Sequence, residues 1–252
     1  TCALPIYIVA QETTMYGKDI YGGKVFHELL RKLCKIEGIE WIRILYCYPE
    51  EITDELIKVI KEEKKICHYL DLPIQHASDD ILKRMGRRTN REDLENIIGK
   101  LRREIPDIAL RTTLITGFPG ETEEDFAETM DVVEKVRYDS AFTFIYSKRN
   151  GTPAAAMENQ VPEDVIKDRF DRLLSRVQSI AADVCARHEG QVMEVLVEQT
   201  NHQEPGLVTG RLGNNTVVHF PGDASMIGKL VSVRLKECKG FYYIGEPYKN
   251  EV

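Results

Sequence analysis

Residues able to do chemistry cluster in this sequence where apolar, β-branched runs break into glycine and small polar residues. The run Ile108 to Thr116 breaks at Gly117-Phe-Pro-Gly120 and restarts as a helix, with Thr122 as N-cap and Asp125 in the capping-box position. Gly117 and Gly120 let the backbone come close to a ligand over the strand end, and the first helical turn leaves unpaired N–H groups there. Carboxyl strand ends are where α/β proteins bind ligands. A well-made βα turn without a ligand has the same signature. No Gly-Lys-Ser/Thr follows, so the turn is not a phosphate loop, and the dinucleotide glycine fingerprint is absent.

Two further breaks carry hydrogen-bonding groups. The strand Tyr69 to Ile74 ends in Gln75-His-Ala-Ser78, and the strand Pro5 to Ala10 ends in Gln11-Glu-Thr-Thr. Gln11 and Thr13 can line the same mouth as Gln75 and Ser78, while His76 also reads as an ordinary loop histidine. Arg111 and Thr113 alternate on the strand before the glycine turn, so they share a face. The basic group Lys83, Arg84, Arg87, Arg88 and Arg91 reads as a solvated helix face and turn. The six cysteines, Cys2, Cys34, Cys47, Cys67, Cys185 and Cys238, include no close-spaced pair, which favours small buried hydrophobes over metal ligands or disulfides.

Five strand–helix alternations must position these groups. Helical stripes at Val25 to Leu33, Asp54 to Lys64 (capped by Thr53), Ile81 to Met85, Leu94 to Ile105 and Glu123 to Val136 separate strands at Pro5, Trp41, Tyr69, Ile108 and Ala141. That order predicts a parallel sheet, an open or closed βα barrel in residues 1–150. Residues 151–188 hold a turn-rich loop and a long helix from Pro162 to about Arg187, read as a strap closing the barrel. From residue 189 to 252 the period falls to two, with five short strands separated by glycine turns, which predicts a small antiparallel barrel of the oligonucleotide-binding kind.

With 252 residues the chain has room for both domains. Its 34 basic and 41 acidic residues give −7, which excludes a generic nucleic-acid binder, so any RNA contact is local. No apolar run reaches the ~18 residues of a membrane span and no signal peptide is apparent, so a cytoplasmic protein is expected. The chain begins at Thr1 without methionine, as a fragment would.

The glycine element, Leu72-Pro-Ile-Gln75 with Leu82-Lys-Arg-Met85, Tyr146-Ser with Gly151-Thr-Pro-Ala154, and Gln160-Val-Pro162 with Arg169 and Leu173 together resemble the radical-SAM methylthiotransferase family. The resemblance runs from about Pro5 to the end. It implies an α/β chain, a partial radical-SAM βα barrel followed by a small all-β TRAM barrel of OB-like form. It also implies S-adenosyl-L-methionine, 4Fe-4S clusters, an electron donor protein, and methylthiolation of a substrate. The family's first strand holds three cysteines spaced Cys-x3-Cys-x2-Cys, and an upstream domain holds a second cluster. Neither is in this segment, so the chain alone is expected not to cleave the cofactor reductively.

By resemblance, Gln75 and Ser78 are candidates for the cofactor's ribose and carboxylate. Gly117 with its backbone would flank the adenine, Ile115 would pack on it, and Arg111, Thr113 and Gln11 would reach cofactor or substrate; Glu121 would order the turn. In the small barrel, Arg211, Lys229 and Arg234 are phosphate candidates, and His219 and Phe220 stacking candidates. The wording up to about Asp125 is similar to the branch that modifies an aspartate of a small-subunit ribosomal protein. From about Phe126 it is similar to the branch that modifies isopentenyladenosine in tRNA, although Thr113 stands where that branch has an aspartate. The tRNA reading leads, and a chimera joined near Phe126 and an inactive, weakly RNA-binding module are the alternatives.

Overall fold

The computed structural model describes residues 4–249, so the readings placed on Thr1 and Cys2 lie outside the described residues. The strand–helix alternation forms one parallel sheet. Strands β1 (Leu4–Ile8), β2 (Ile39–Ile44), β3 (Ile66–Asp71), β4 (Ala109–Thr116) and β5 (Ser140–Ile145) lie side by side in that order, and each neighbouring pair is parallel. The sheet is open, with β1 and β5 at its edges. Between the strands run α1 (Lys18–Tyr21), α2 (Phe26–Cys34), α3 (Asp54–Glu62), α4 (Asp79–Arg84), α5 (Arg91–Glu104) and α6 (Glu123–Val136).

The helices cover one face of the sheet. Ile42, Ile44, Leu70, Leu110 and Leu114 pack there against Leu30, Ile57, Leu94, Ile98 and Phe126. Side chains of a strand alternate between faces, so the residues between these apolar ones point to the opposite, inner face. Arg111, Thr113 and Ile115 of β4 are half-buried there, while Leu110, Thr112 and Leu114 are buried. The caps form as the sequence indicates. Thr53 accepts from the N–H of Leu56, and Thr122 and Asp125 make the reciprocal box at the start of α6.

Strand β3 begins at Ile66, earlier than the apolar run suggested, because Ile66 pairs with Ile42. The chain beyond it stays on the ladder: Leu72 N–H donates to Arg111 O at 2.8 Å and Gln75 N–H to Thr113 O at 2.8 Å. Gln75 is therefore at the effective strand end.

Helix α7 (Glu163–Ala186) buries Leu173, Val177, Ile180 and Val184 and packs on β5 and α6. It leads into a closed barrel of β6 (Val192–Thr200), β7 (Leu207–Leu212), β8 (Val217–Pro221), β9 (Leu230–Cys238) and β10 (Tyr242–Pro247), in the order β10-β8-β7-β6-β9. The expectation of an all-antiparallel barrel is corrected at one place: β8 and β10 pair in parallel, because β9 crosses between them and pairs with β6. Among the described residues no helix is long and apolar enough to cross a membrane.

Candidate active site

The carboxyl ends of the strands open onto two adjoining cavities, of about 510 and about 460 Å3, that share Gln75 and Met85. Gln75 takes a left-handed backbone (φ 68°), held by its N–H on Thr113 and by Ile115 N–H donating to its carbonyl at 2.8 Å. This kink puts its side chain on the wall between the cavities. The larger cavity adds Ile115, Phe118, Phe144, Tyr146 and Arg149; the smaller adds Gln11, Glu12, Tyr48, Glu50 and Arg87.

The glycine turn behind this mouth is a self-contained unit. Gly117 (φ 76°) donates its N–H to the buried Glu121 carboxylate at 2.8 Å, and Arg169 of α7 donates to the other carboxylate oxygen at 3.0 Å. His76 Nε2 is 3.5 Å from the same carboxylate. A Cβ on Gly117 would lie 2.7 Å from Ile166 of α7, so the glycine is required by helix packing. Its N–H is taken and its Cα faces α7; Ile115 and Phe118 are the residues of this segment on the cavity wall. At the start of α6 the capping box takes the N–H groups of Thr122 and Asp125.

Ser78 requires a correction. It is 2% exposed, lines neither cavity, donates to Asp125 at 2.5 Å and caps α4. The hydroxyl ties the start of α4 to the start of α6, which only the packed structure reveals. The result is a low carboxyl pKa for Asp125: burial raises it, but the Ser78 and Thr122 hydrogen bonds outweigh that.

Arg111 and Thr113 sit deeper on the inner face, outside both cavities. The Arg111 guanidinium is bidentate with the buried Asp71, at 2.9 and 2.6 Å, and lies 4.5 Å from the Phe142 ring centroid. Phe142 and Phe144 pair with Thr113 and Ile115 across the β4–β5 ladder and are 49% and 52% exposed. The sequence reading missed this aromatic wall because alternate phenylalanines on an edge strand look like core. It also missed Glu12, whose carboxyl is pushed up to about 7 by burial, against hydrogen bonds from Tyr48 and Thr14. A carboxylate in a loop reads as solvated until its burial is known.

In the barrel domain, Phe220 is fully buried among Val208, Val218 and Tyr243 and cannot stack on a base, which corrects that expectation. Arg211 is half-exposed but paired with Glu198 at 3.1 Å and bonded to Asn215 O at 3.0 Å. Arg234 is near the Tyr248 ring (4.9 Å) and donates to Gly190 O at 3.2 Å, whereas Lys229 is exposed. His219 is half-exposed on a separate cavity with Tyr242 and Phe241.

Iron–sulfur ligation does not fit the described residues. Among them no group of three or more His, Cys, Asp or Glu is placed to hold a metal ion. Cys34, Cys47, Cys67 and Cys185 are buried apart from one another in sequence, and burial pushes the Cys47 thiol up to about 12, away from the thiolate a cluster needs.

An open parallel βα sheet with a ligand-sized cleft at its strand ends, joined to a closed OB-like barrel, defines a βα-barrel protein with an appended β-barrel module. Residues 6–133 match the Radical SAM superfamily and residues 186–247 the TRAM domain, and the chain belongs to the Radical SAM superfamily. Among its relatives in Lachnoclostridium phytofermentans, a tRNA-2-methylthio-N(6)-dimethylallyladenosine synthase is 47% identical over 241 residues, covering 96% of this chain and 53% of that protein. The ribosomal protein uS12 methylthiotransferase RimO of the same organism is 52% identical over 247 residues, covering 95% of this chain and 56% of that protein. The chain thus spans about half the length of the curated relatives it matches. The fold is similar to that of the radical SAM enzyme coproporphyrinogen III oxidase (HemN) from Escherichia coli, with a TM-score of 0.52 and 16% identity over 82% of this chain and 51% of that one.

Proposed function

We propose that this chain is the cofactor cleft and TRAM barrel of a methylthiotransferase that modifies isopentenyladenosine in tRNA. One observation carries the choice of substrate. The inner wall offers a solvent-facing aromatic surface, Phe142 and Phe144, and its guanidinium, Arg111, is already neutralised by Asp71. A purine can lie against such a wall, and the Arg111 guanidinium beside it is already paired with a carboxylate.

S-adenosyl-L-methionine fits the larger cavity. Its adenosine would pack on Ile115, Phe118 and Tyr146, with Gln75 and Gln11 supplying hydrogen bonds towards its polar end. When bound beside a reduced 4Fe-4S cluster, this cofactor supplies the radical that activates an unreactive C–H bond. This segment orients the cofactor and keeps water off its apolar side. The described residues include no group of three or more metal-ligating side chains, so on this reading the cluster and an electron donor would be supplied from outside them.

A second reading, modification of an aspartate in a small-subunit ribosomal protein, is supported by Thr113 and by the similarity of the front half to that branch. Nucleoside mass spectrometry of tRNA from a strain lacking the gene separates the two. The tRNA reading expects loss of the 2-methylthio nucleoside with an unmodified mass change nowhere in the small ribosomal proteins. Intact tRNA nucleosides together with a ribosomal protein lighter by one methylthio group would overturn it.

A further inference from the structure

The cysteines stand far apart in the sequence, but the fold brings two of them together. Cys185 lies in the last turn of α7 and Cys238 ends β9. Tyr243 of β10 stands opposite Cys238 in the antiparallel ladder, so the two side chains share a face. The Tyr243 hydroxyl donates to the carbonyl of Cys185, which lays the end of α7 over that face. There the Cys185 and Cys238 thiols are hydrogen-bonded to each other, and both pack with Tyr243 on the barrel core.

Backbone contacts hold the pair in place. Gly240 N–H donates to Cys238 Sγ at 3.3 Å, and Cys238 N–H donates to Glu189 Oε1, just beyond α7, at 2.5 Å. The two thiols differ in access: Cys185 is 8% exposed, whereas Cys238 is half-buried. Burial, together with the Cys238 contact, pushes the Cys185 thiol up to about 12. Cys185 is therefore the sulfur that reacts second. A cavity of about 120 Å3 lies beside it, lined also by Ser140, His188 and Tyr243, so the pair is not sealed into the core. The other buried cysteines have different neighbours: Cys34 sits by Glu63, Cys47 by Thr13 and Cys67 by Arg43.

We propose that Cys185 and Cys238 are a modification site, where a hydroperoxide converts the two thiols to a disulfide that ties α7 to the barrel. Cys238 Sγ attacks one oxygen of the hydroperoxide. The O–O bond breaks, Cys238 becomes a sulfenic acid, and its thiol proton leaves on the departing alcohol, or on water when the oxidant is hydrogen peroxide. Cys185 Sγ then attacks the sulfenic sulfur. The S–S bond forms, the S–O bond breaks, and the hydroxide leaves as water with the Cys185 proton. The thiols give up two electrons and the peroxide takes the same two. The closed loop spans residues 185–238 and so contains most of the barrel, whose unfolded chain the bond restricts. Its formation is independent of which substrate the cleft takes.

The test is treatment of the full 252-residue chain with a small excess of hydrogen peroxide, then alkylation of the remaining thiols and peptide mass spectrometry. The tryptic peptides 177–187 and 237–239 should be recovered joined from the folded wild type. Neither Cys238→Ser nor Cys185→Ala should give the joined species. Oxidation should raise the Tm of wild type by roughly 5–15 °C, dithiothreitol should reverse the rise, and neither variant should show it. The cross-link in wild type is read without either variant, so a variant that fails to fold does not spoil the test. Recovery of the two peptides separately alkylated would overturn the proposal. So would joining of Cys185 to Cys238 no more often than of other cysteine pairs, oxidation that runs to sulfinic or sulfonic acid on either sulfur, or a joined pair with an unchanged Tm.

Discussion

Arg43, in the middle of the parallel sheet, donates from Nη2 to the backbone carbonyl of Leu212 in the second barrel at 2.9 Å. The side chain is 1% exposed, and its Nη1 donates to the Tyr7 hydroxyl at 2.9 Å. The guanidinium also lies 5.2 and 5.8 Å from the ring centroids of Tyr7 and Tyr69. A buried cation is thus held by carbonyl dipoles and aromatic faces, and the turn Leu212-Gly213 of the barrel is fixed against the inner face of the sheet.

Arg43→Ala should remove these bonds and cost about 2–3 kcal/mol, the range for hydrogen bonds from a charged donor. Because the bonds to Leu212 O and Gly213 O cross between domains, the loss should also uncouple them. Urea unfolding followed by circular dichroism should pass from one transition in the wild type to two in the variant. A single transition at an unchanged midpoint would show that Arg43 does not couple the domains.

Arg169 on α7 and Glu121 on the glycine turn form a buried pair, 5% exposed on each side, and Glu121 in turn holds the N–H of Gly117. Removing the cation alone leaves an uncompensated buried carboxylate, so Arg169→Met should cost about 3–5 kcal/mol. Combining it with Glu121→Gln removes that charge and should recover part of the loss. Thermal melts of the two single variants and the double variant measure the coupling. Simple additivity of the single effects would contradict the pairing.

Glu12 gives the protein a pH-dependent stability. Its carboxyl stands at about 7 in the folded chain against 4.5 as its ordinary value, so the folded state holds the proton more tightly. The contribution is therefore fully present below about pH 4.5 and is lost as pH rises through about 7. Glu12→Gln keeps a neutral group at every pH. The Tm of wild type should fall relative to that of the variant between about pH 5 and 8, and a difference that stays constant over that range would refute the assignment.

What the sequence made legible was local. Thr53 and Thr122 cap their helices as expected because a cap is decided by the residue and the three that follow it. Gln75 and Gln11 reach the mouth because strand ends in a βα order converge. Ser78, Arg43 and Arg169 were misread or passed over because their partners, Asp125, Leu212 and Glu121, are 47, 169 and 48 residues away. Sequence pattern treats a lone arginine or serine as a surface group; only tertiary packing supplies the acceptor that lets it be buried. The iron–sulfur expectation concerned residues that the segment does not hold.

The two phenylalanines of the second barrel separate the roles that sequence could not. Phe220 and Phe241 both lie at the end or start of short strands, yet Phe220 is 0% exposed and Phe241 78%. Alternation decides the first: Val218 and Phe220 point into the barrel while Val217 and His219 point outward. Phe241 precedes β10, just after Gly240, and faces solvent. Phe220→Ala should therefore open a cavity in a tightly packed core and cost about 3–5 kcal/mol. Phe241→Ala should leave stability within about 0.5 kcal/mol, as a surface change does. Denaturant midpoints of the two variants check this directly. Comparable destabilisation would mean that Phe241 belongs to the core.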